Sequence, residues 1–175
     1  MAGSNPSYYW DTCVFLVWLK NESERAVGDM QGVVDCLNKF RRRELSLMTS
    51  VLTLTEITVA KVPAGTETLM ETAMQRPNFS KLAIDLKVAR LAKDLRNYYL
   101  SRPEFKGKTL SVPDAIHLAT AILNRATEFH TFDEKDGNRD KTLGLIPLSG
   151  NVGGHNLIIR KPPETDQGNL PLFRA

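Results

Sequence analysis

Apolar residues recur along this chain in two rhythms. Short, nearly continuous runs at Tyr8-Tyr9-Trp10, Leu47 to Leu52, Leu110 to Val112 and Phe129 to Phe132 are bounded by turn and cap residues and predict strands. Between them the spacing turns helical. Val14 to Trp18 predicts a short, strongly apolar helix, and Met30 to Phe40 carries apolar side chains at 30, 33, 34, 37 and 40. A short helix is predicted after the second strand and through Val62, where Pro63-Ala64-Gly65 breaks it. Leu86 to Tyr99 is the clearest amphipathic helix: positions 88, 91, 92, 95, 98 and 99 form one stripe, while Arg90, Lys93, Asp94, Arg96 and Asn97 face out. Pro113 to Ala126 is apolar around most of its circumference and predicts a central helix packed on several sides. Beyond Gly150 the pattern fades, with Gly153-Gly154, Pro162-Pro163 and Gly168 as punctuation and one strand-like run at Leu157-Ile158-Ile159. Strands alternating with helices predict an α/β fold with a mainly parallel sheet over residues 1–150. Residues 151–175 then read as a loosely structured C-terminal extension packed on that domain.

Composition narrows the class without naming a function. With 175 residues, 42% hydrophobic and 25% charged, the chain can bury a core of its own and reads as one soluble globular domain. No apolar run approaches the roughly 18–20 residues that span a bilayer. Met1 to Pro6 lacks the basic and apolar regions of a secretory signal, so a cytoplasmic address is expected. Cys13 and Cys36 are too few and too far apart for a disulfide framework or zinc knuckle, and read as buried free thiols. A net charge of +3 permits nucleic-acid binding but does not argue for it.

Chemistry enters with four acids. Asp11, Glu56, Asp114 and Asp133 each stand where a strand-like run gives way to a helix or loop. In open parallel sheets ligands bind outside the carboxyl ends of the strands, so the four carboxylates are expected on one edge. Singly, each has a bland explanation. Asp11 can be an N-cap, Thr53-Leu54-Thr55-Glu56 fits a capping box, Ser111-Val112-Pro113-Asp114 fits a capped helix start, and Asp133 fits a turn. Together they repel unless cations or protons compensate. Hard divalent cations prefer such oxygen ligands, and a pair of ions can ready a water and stabilise a leaving oxygen in phosphodiester cleavage.

The ordered set resembles the motifs of PIN-domain ribonucleases. Tyr9-Trp10-Asp11-Thr12-Cys13-Val14-Phe15-Leu16 resembles their opening strand with its Asp-Thr/Ser pair, and Leu54-Thr55-Glu56-Ile57 their second acidic motif. Pro113-Asp114-Ala115-Ile116-His117-Leu118-Ala119-Thr120-Ala121 is close to their third, and Thr131-Phe132-Asp133 resembles the Thr-x-Asp that closes the quartet. The resemblance implies a three-layer α/β/α sandwich. It also implies an endoribonuclease that depends on one or two Mg2+ or Mn2+ ions, hydrolyses RNA phosphodiester bonds and leaves a 5′-phosphate. Many bacterial relatives are VapC-type toxins held inactive by a small antitoxin, and homodimers are usual among them. By position, Asp11 and Asp114 would be the main metal ligands, Glu56 a ligand directly or through water, and Asp133 the residue completing the site. Thr131 would orient an acid or a metal-bound water, with Thr12 and Asp136 in supporting roles.

Two rival readings exist. A non-catalytic PIN-like module that binds RNA or protein keeps the fold but not the chemistry. A phosphotransferase of the haloacid-dehalogenase type would require a second Asp two residues after Asp11, where Cys13 stands. For RNA contact the sequence offers Arg41, Arg42 and Arg43, following Lys39, and then Lys106 and Lys108, although such basic runs are more commonly solvated helix ends. His117 lies one helical turn after Asp114 and can reach the site, but a histidine in a packed helix is more often a core residue. His130 points opposite Thr131 on a regular strand. Tyr98 and Tyr99 fit core or dimer packing better than base stacking.

Overall fold

The computed structural model describes residues 5–21, 28–58, 61–134 and 141–164. Within them the chain runs β1 (Ser7–Trp10), α1 (Thr12–Lys20), α2 (Asp29–Arg41), β2 (Ser46–Ser50), α3 (Leu52–Glu56), α4 (Thr66–Met74), β3 (Phe79–Leu82), α5 (Leu86–Leu100), α6 (Val112–Leu123), β4 (Glu128–His130) and β5 (Ile158–Arg160). The strands form a five-stranded sheet in the order β3-β2-β1-β4-β5, every pairing parallel.

Side-chain alternation along the strands builds two cores, one on each face. Tyr9, Met48, Phe129 and Ile159 turn to one side and pack with Val88, Leu95 and Tyr99 of α5 and Leu118 of α6. Trp10, Leu47 and Phe79 turn to the other and pack with Phe15 of α1, Val33 and Phe40 of α2 and Met70 of α4. A parallel sheet buried on both faces by crossover helices is the expected consequence of strands this apolar, and it yields the three-layer sandwich. Among the described residues no helix is long and apolar enough to cross a membrane.

Local chemistry sets the helix starts. Asp11 caps α1, its side chain accepting from Thr12 N, and Asp85 caps α5 by accepting from Lys87 N and Val88 N at 2.9 Å each. Ser111 caps α6, with Pro113 in the first turn.

Several elements differ from the sequence expectation. Leu110 to Val112 is not a strand: Thr109 makes an isolated bridge to Thr142, and Val112 already begins α6. The run is apolar because Leu110 is buried under α5, where its carbonyl accepts from Arg96 Nε at 3.1 Å. Arg96 is accordingly half-buried, its guanidinium turned back to the chain and not outward. The helix after β2 ends at Glu56, well short of Val62. α4 and β3 were not anticipated; Phe79 and the three residues after it carry too little alternation to announce a strand, yet they pair with Leu47–Ser50. The tail beyond Gly150 contributes β5, which pairs with β4 and completes one edge of the sheet, so the sheet crosses the division drawn at residue 150.

Candidate active site

Parallel strands deliver their carboxyl ends to one edge, and the order β3-β2-β1-β4-β5 reverses direction between β1 and β4, which is where crevices open in such sheets. Asp11 directly follows β1 and Thr131 directly follows β4. Asp11 is 8% exposed, and its two oxygens are separately committed. Oδ1 accepts from Thr12 N at 2.6 Å and Oδ2 from the Thr131 hydroxyl at 2.9 Å and the Cys13 thiol at 3.1 Å. The helix cap and the site residue are therefore the same carboxylate.

Glu56 arrives from β2 through α3. It does not close a capping box on Thr53, because Val51 is the N-cap of this short helix and Glu56 is its last residue. Its Oε2 instead accepts from the Thr12 hydroxyl and meets His117 Nε2 at 2.9 Å. Burial alone pushes the Glu56 carboxyl up, but hydrogen bonds from His117 and Thr12 outweigh it and hold the group below its ordinary value.

Asp114 lies in the first turn of α6. Its Oδ2 accepts from the Ser111 hydroxyl at 2.5 Å, while its own N–H donates to Ser111 Oγ at 3.2 Å. Burial raises the Asp114 carboxyl above its usual value; Ser111 opposes this, and the negative charges of Asp11 and Glu56 add to it. The three carboxylates thus come from the end of β1, the end of α3 and the first turn of α6. Asp133 joins through its backbone, its N–H donating to Thr131 Oγ1 at 3.2 Å and its carbonyl accepting from Leu145 N and Ile146 N.

His117, 1% exposed, lies between the acids: Nε2 is 2.9 Å from Glu56 and 3.9 Å from Asp11 Oδ1, and Nδ1 is 2.7 Å from the Tyr9 hydroxyl. His117 is buried as a core histidine is, while its ring nitrogens face Glu56 and Tyr9. Tyr9 was read only as a strand residue and Ser111 only as a cap. A signal exists for two of these positions, since Tyr9 lies two residues before Asp11 along extended backbone and His117 follows Asp114 by three on a helix, which puts each pair on one face. Cys13 is a thiol wedged between Asp11 and Thr131, and burial raises it well above its usual value. Cys36 is a buried free thiol on α2.

The basic candidates are distributed otherwise. Arg41 ends α2 and Arg42 and Arg43 lead on toward β2, so the three lie at the amino-terminal edge of the sheet, opposite the acids. There Arg42 pairs with Glu44 and the Arg43 carbonyl accepts from Asn5. Lys106 and Lys108 sit on the loop leading into α6. His130 turns away from Thr131 to bond Glu128 at 2.9 Å. Asp136 lies outside the described residues.

The donor set is hard oxygen, which suits Mg2+ or Mn2+ and not a thiophilic ion. Among the described residues no three His, Cys, Asp or Glu side chains are grouped so as to hold a metal ion by themselves. A half-open cluster of carboxylates fits a cation that keeps several waters and shares its shell with a substrate phosphate, as Mg2+ does.

The sequence matches the family model described as PIN domain over residues 8–139. No curated protein matches it. Among solved structures, the chain resembles VapBC2 from Rickettsia felis, described as bound to a DNA fragment from its promoter. The TM-score is 0.58 and the identity 14%, covering 87% of this chain and 98% of that one. It also resembles FitAB bound to the IR36 DNA fragment, at a TM-score of 0.51 and 20% identity over 93% of this chain and 99% of that one. Likeness at this identity speaks for the shared fold.

Proposed function

The chain belongs to the PIN-domain family, and from that premise we propose that it is a metal-dependent endoribonuclease that hydrolyses RNA phosphodiester bonds. The observation that carries the reading is geometric: at the carboxyl edge of a parallel sheet Glu56 and Asp11 lie 2.9 and 3.9 Å from His117 Nε2, one helical turn from Asp114. Nothing in a helix cap requires three elements to bring carboxylates together and hold them against their repulsion.

Asp11 and Asp114 would hold the principal ion, with Glu56 beside them and Asp133 completing the set. A bound Mg2+ or Mn2+ supplies positive charge for the phosphodiester and acidifies water. The rest belongs to the chain. Thr12 N and the Thr131 hydroxyl fix both oxygens of Asp11, so that carboxylate meets an incoming ion already oriented. Ser111 does the same for Asp114. The first turn of α6 presents the positive end of its dipole beside Asp114, which favours an approaching phosphate.

The toxin reading follows from the VapC-type resemblance and from the fold shared with VapBC2 and FitAB. On that reading a small antitoxin covers the acidic edge, the working form is a homodimer, and the protein acts in the cytoplasm.

The test is cleavage of an end-labelled, mixed-sequence RNA in Mn2+, comparing parent with Asp11→Asn, each with and without chelator. Cleavage by the parent alone, abolished by chelator, is expected. Equal cleavage by folded Asp11→Asn would overturn the proposal.

A further inference from the structure

We propose that His117, held by Tyr9 with its proton on Nε2, is the positioning residue that sets the Glu56 carboxylate beside Asp11. The significance of Glu56 rests on the nuclease reading above; the hydrogen-bond chain itself does not.

Glu56 needs an external support. It ends a five-residue helix whose N-cap makes no side-chain hydrogen bond, and a helix that short is not self-supporting. Its side chain remains about a quarter exposed. Two groups outside α3 hold it, the Thr12 hydroxyl and His117 Nε2. Thr12 is the residue after Asp11 and begins the helix that Asp11 caps, and His117 is on the helix that carries Asp114. Glu56 is thereby tied to both other acids through one intermediary each.

The direction of the bonds follows from their donors. A carboxylate only accepts, so the proton between His117 and Glu56 belongs to Nε2. The Tyr9 oxygen already accepts from Ser50 N at 2.9 Å, and burial pushes the phenol far above its usual value, so it keeps its proton. That O–H is 2.7 Å from Nδ1 and donates to it. The chain therefore reads Ser50 N–H to Tyr9, Tyr9 O–H to His117 Nδ1, His117 Nε2–H to Glu56. The Tyr9 ring is locked in turn, stacked on Phe129 at 5.1 Å and edge-on to His117 at 5.8 Å. A hydrogen-bond partner that fixes the orientation of a metal-binding side chain commonly matters 10–100-fold in affinity.

Two measurements on the full chain test this. In 15N spectra of histidine-labelled protein at neutral pH, His117 should show a bare Nδ1 and a protonated Nε2, and Glu56→Gln should shift the Nε2–H signal. A bare Nε2, or no response to Glu56→Gln, would overturn the proposal. In Mn2+ titrations followed by calorimetry, His117→Leu should weaken binding about 10–100-fold. His117→Gln, whose amide N–H can replace the ring's, should recover most of the loss, and Tyr9→Phe should fall between. Equal losses for Gln and Leu, or an unchanged affinity in folded His117→Leu, would count against it. A parent that binds no Mn2+ defeats the nuclease reading, while the 15N spectra still decide the role of His117.

Discussion

Asp114 illustrates how the site is held against its own charge. Its carboxyl is raised by burial and by its acidic neighbours, so carrying the charge costs more in the fold than in the unfolded chain. Asp114→Asn is expected to stabilise the metal-free protein by about 1 kcal/mol, because it removes that repulsion while sparing an oxygen for Ser111. In saturating Mn2+ the order should reverse, since the parent gains binding energy that the variant has lost. Thermal unfolding of both proteins with and without Mn2+ checks the crossover; a metal-free variant less stable than the parent would mean that the helix-start role of Asp114 dominates. The four acids and Thr131 could be singled out in the sequence because each stands beside a pattern that changes there. His117 and Tyr9 could not be ranked, because their importance comes from partners 61 and 108 residues away.

Among the elements, the carboxyl-terminal run, legible in sequence as the strand-like Leu157-Ile158-Ile159, completes one edge of the sheet. β5 is three residues long and pairs with β4, and Lys161 beyond it bonds Asp29 and Glu134. Gly32 of α2 lies directly against this segment, where an added Cβ would collide with the Pro162 carbonyl. Gly32→Ala is expected to cost about 1–3 kcal/mol, as overpacking does, despite the better helix propensity of alanine. Denaturant unfolding measures it, and a stabilised variant would show that the segment yields. The β4–β5 pair also carries a pH response. Burial pushes Glu128 up, but hydrogen bonds from His130 and the charge of Arg160 hold it below its ordinary value on balance, while burial holds His130 below its own. Below about pH 6.5 the unfolded chain takes up the His130 proton before the folded chain does. The Glu128 contribution is lost later, as pH falls through its lowered folded value. Both losses run the same way, so stability should decline from about pH 6.5 downward, and His130→Gln should flatten the upper part of that decline in urea titrations at stepped pH. An unchanged slope would remove His130 from the account.

At the scale of the whole molecule, topology sorts the charges. Parallel strands put every strand end of one kind on one edge, so the acids and the Arg41–Arg43 run occupy opposite poles. The strand between them, with a rise of about 3.3 Å per residue, separates the poles by more than a Debye length at physiological salt. Replacing Arg41, Arg42 and Arg43 together with glutamine should leave cleavage of a short oligonucleotide within about twofold of the parent. A large loss in kcat/KM would show that RNA reaches around the sheet to that pole.

Alternating apolar runs and helical stripes were enough to determine the class, the central strands and the principal helices, because burial on both faces of a parallel sheet demands them. The ordered acids with their neighbours determined the family. Tertiary structure decided the rest. It made β3 a strand, since edge strands need less apolar alternation and depend on a partner, and it paired the carboxyl-terminal strand-like run with β4. It withheld the strand expected at Leu110, where burial under α5 explains the apolar run equally well. It also chose the side chains that hold the carboxylates in place, because a hydrogen bond spanning β1, α3 and α6 has no counterpart in any local stretch of sequence.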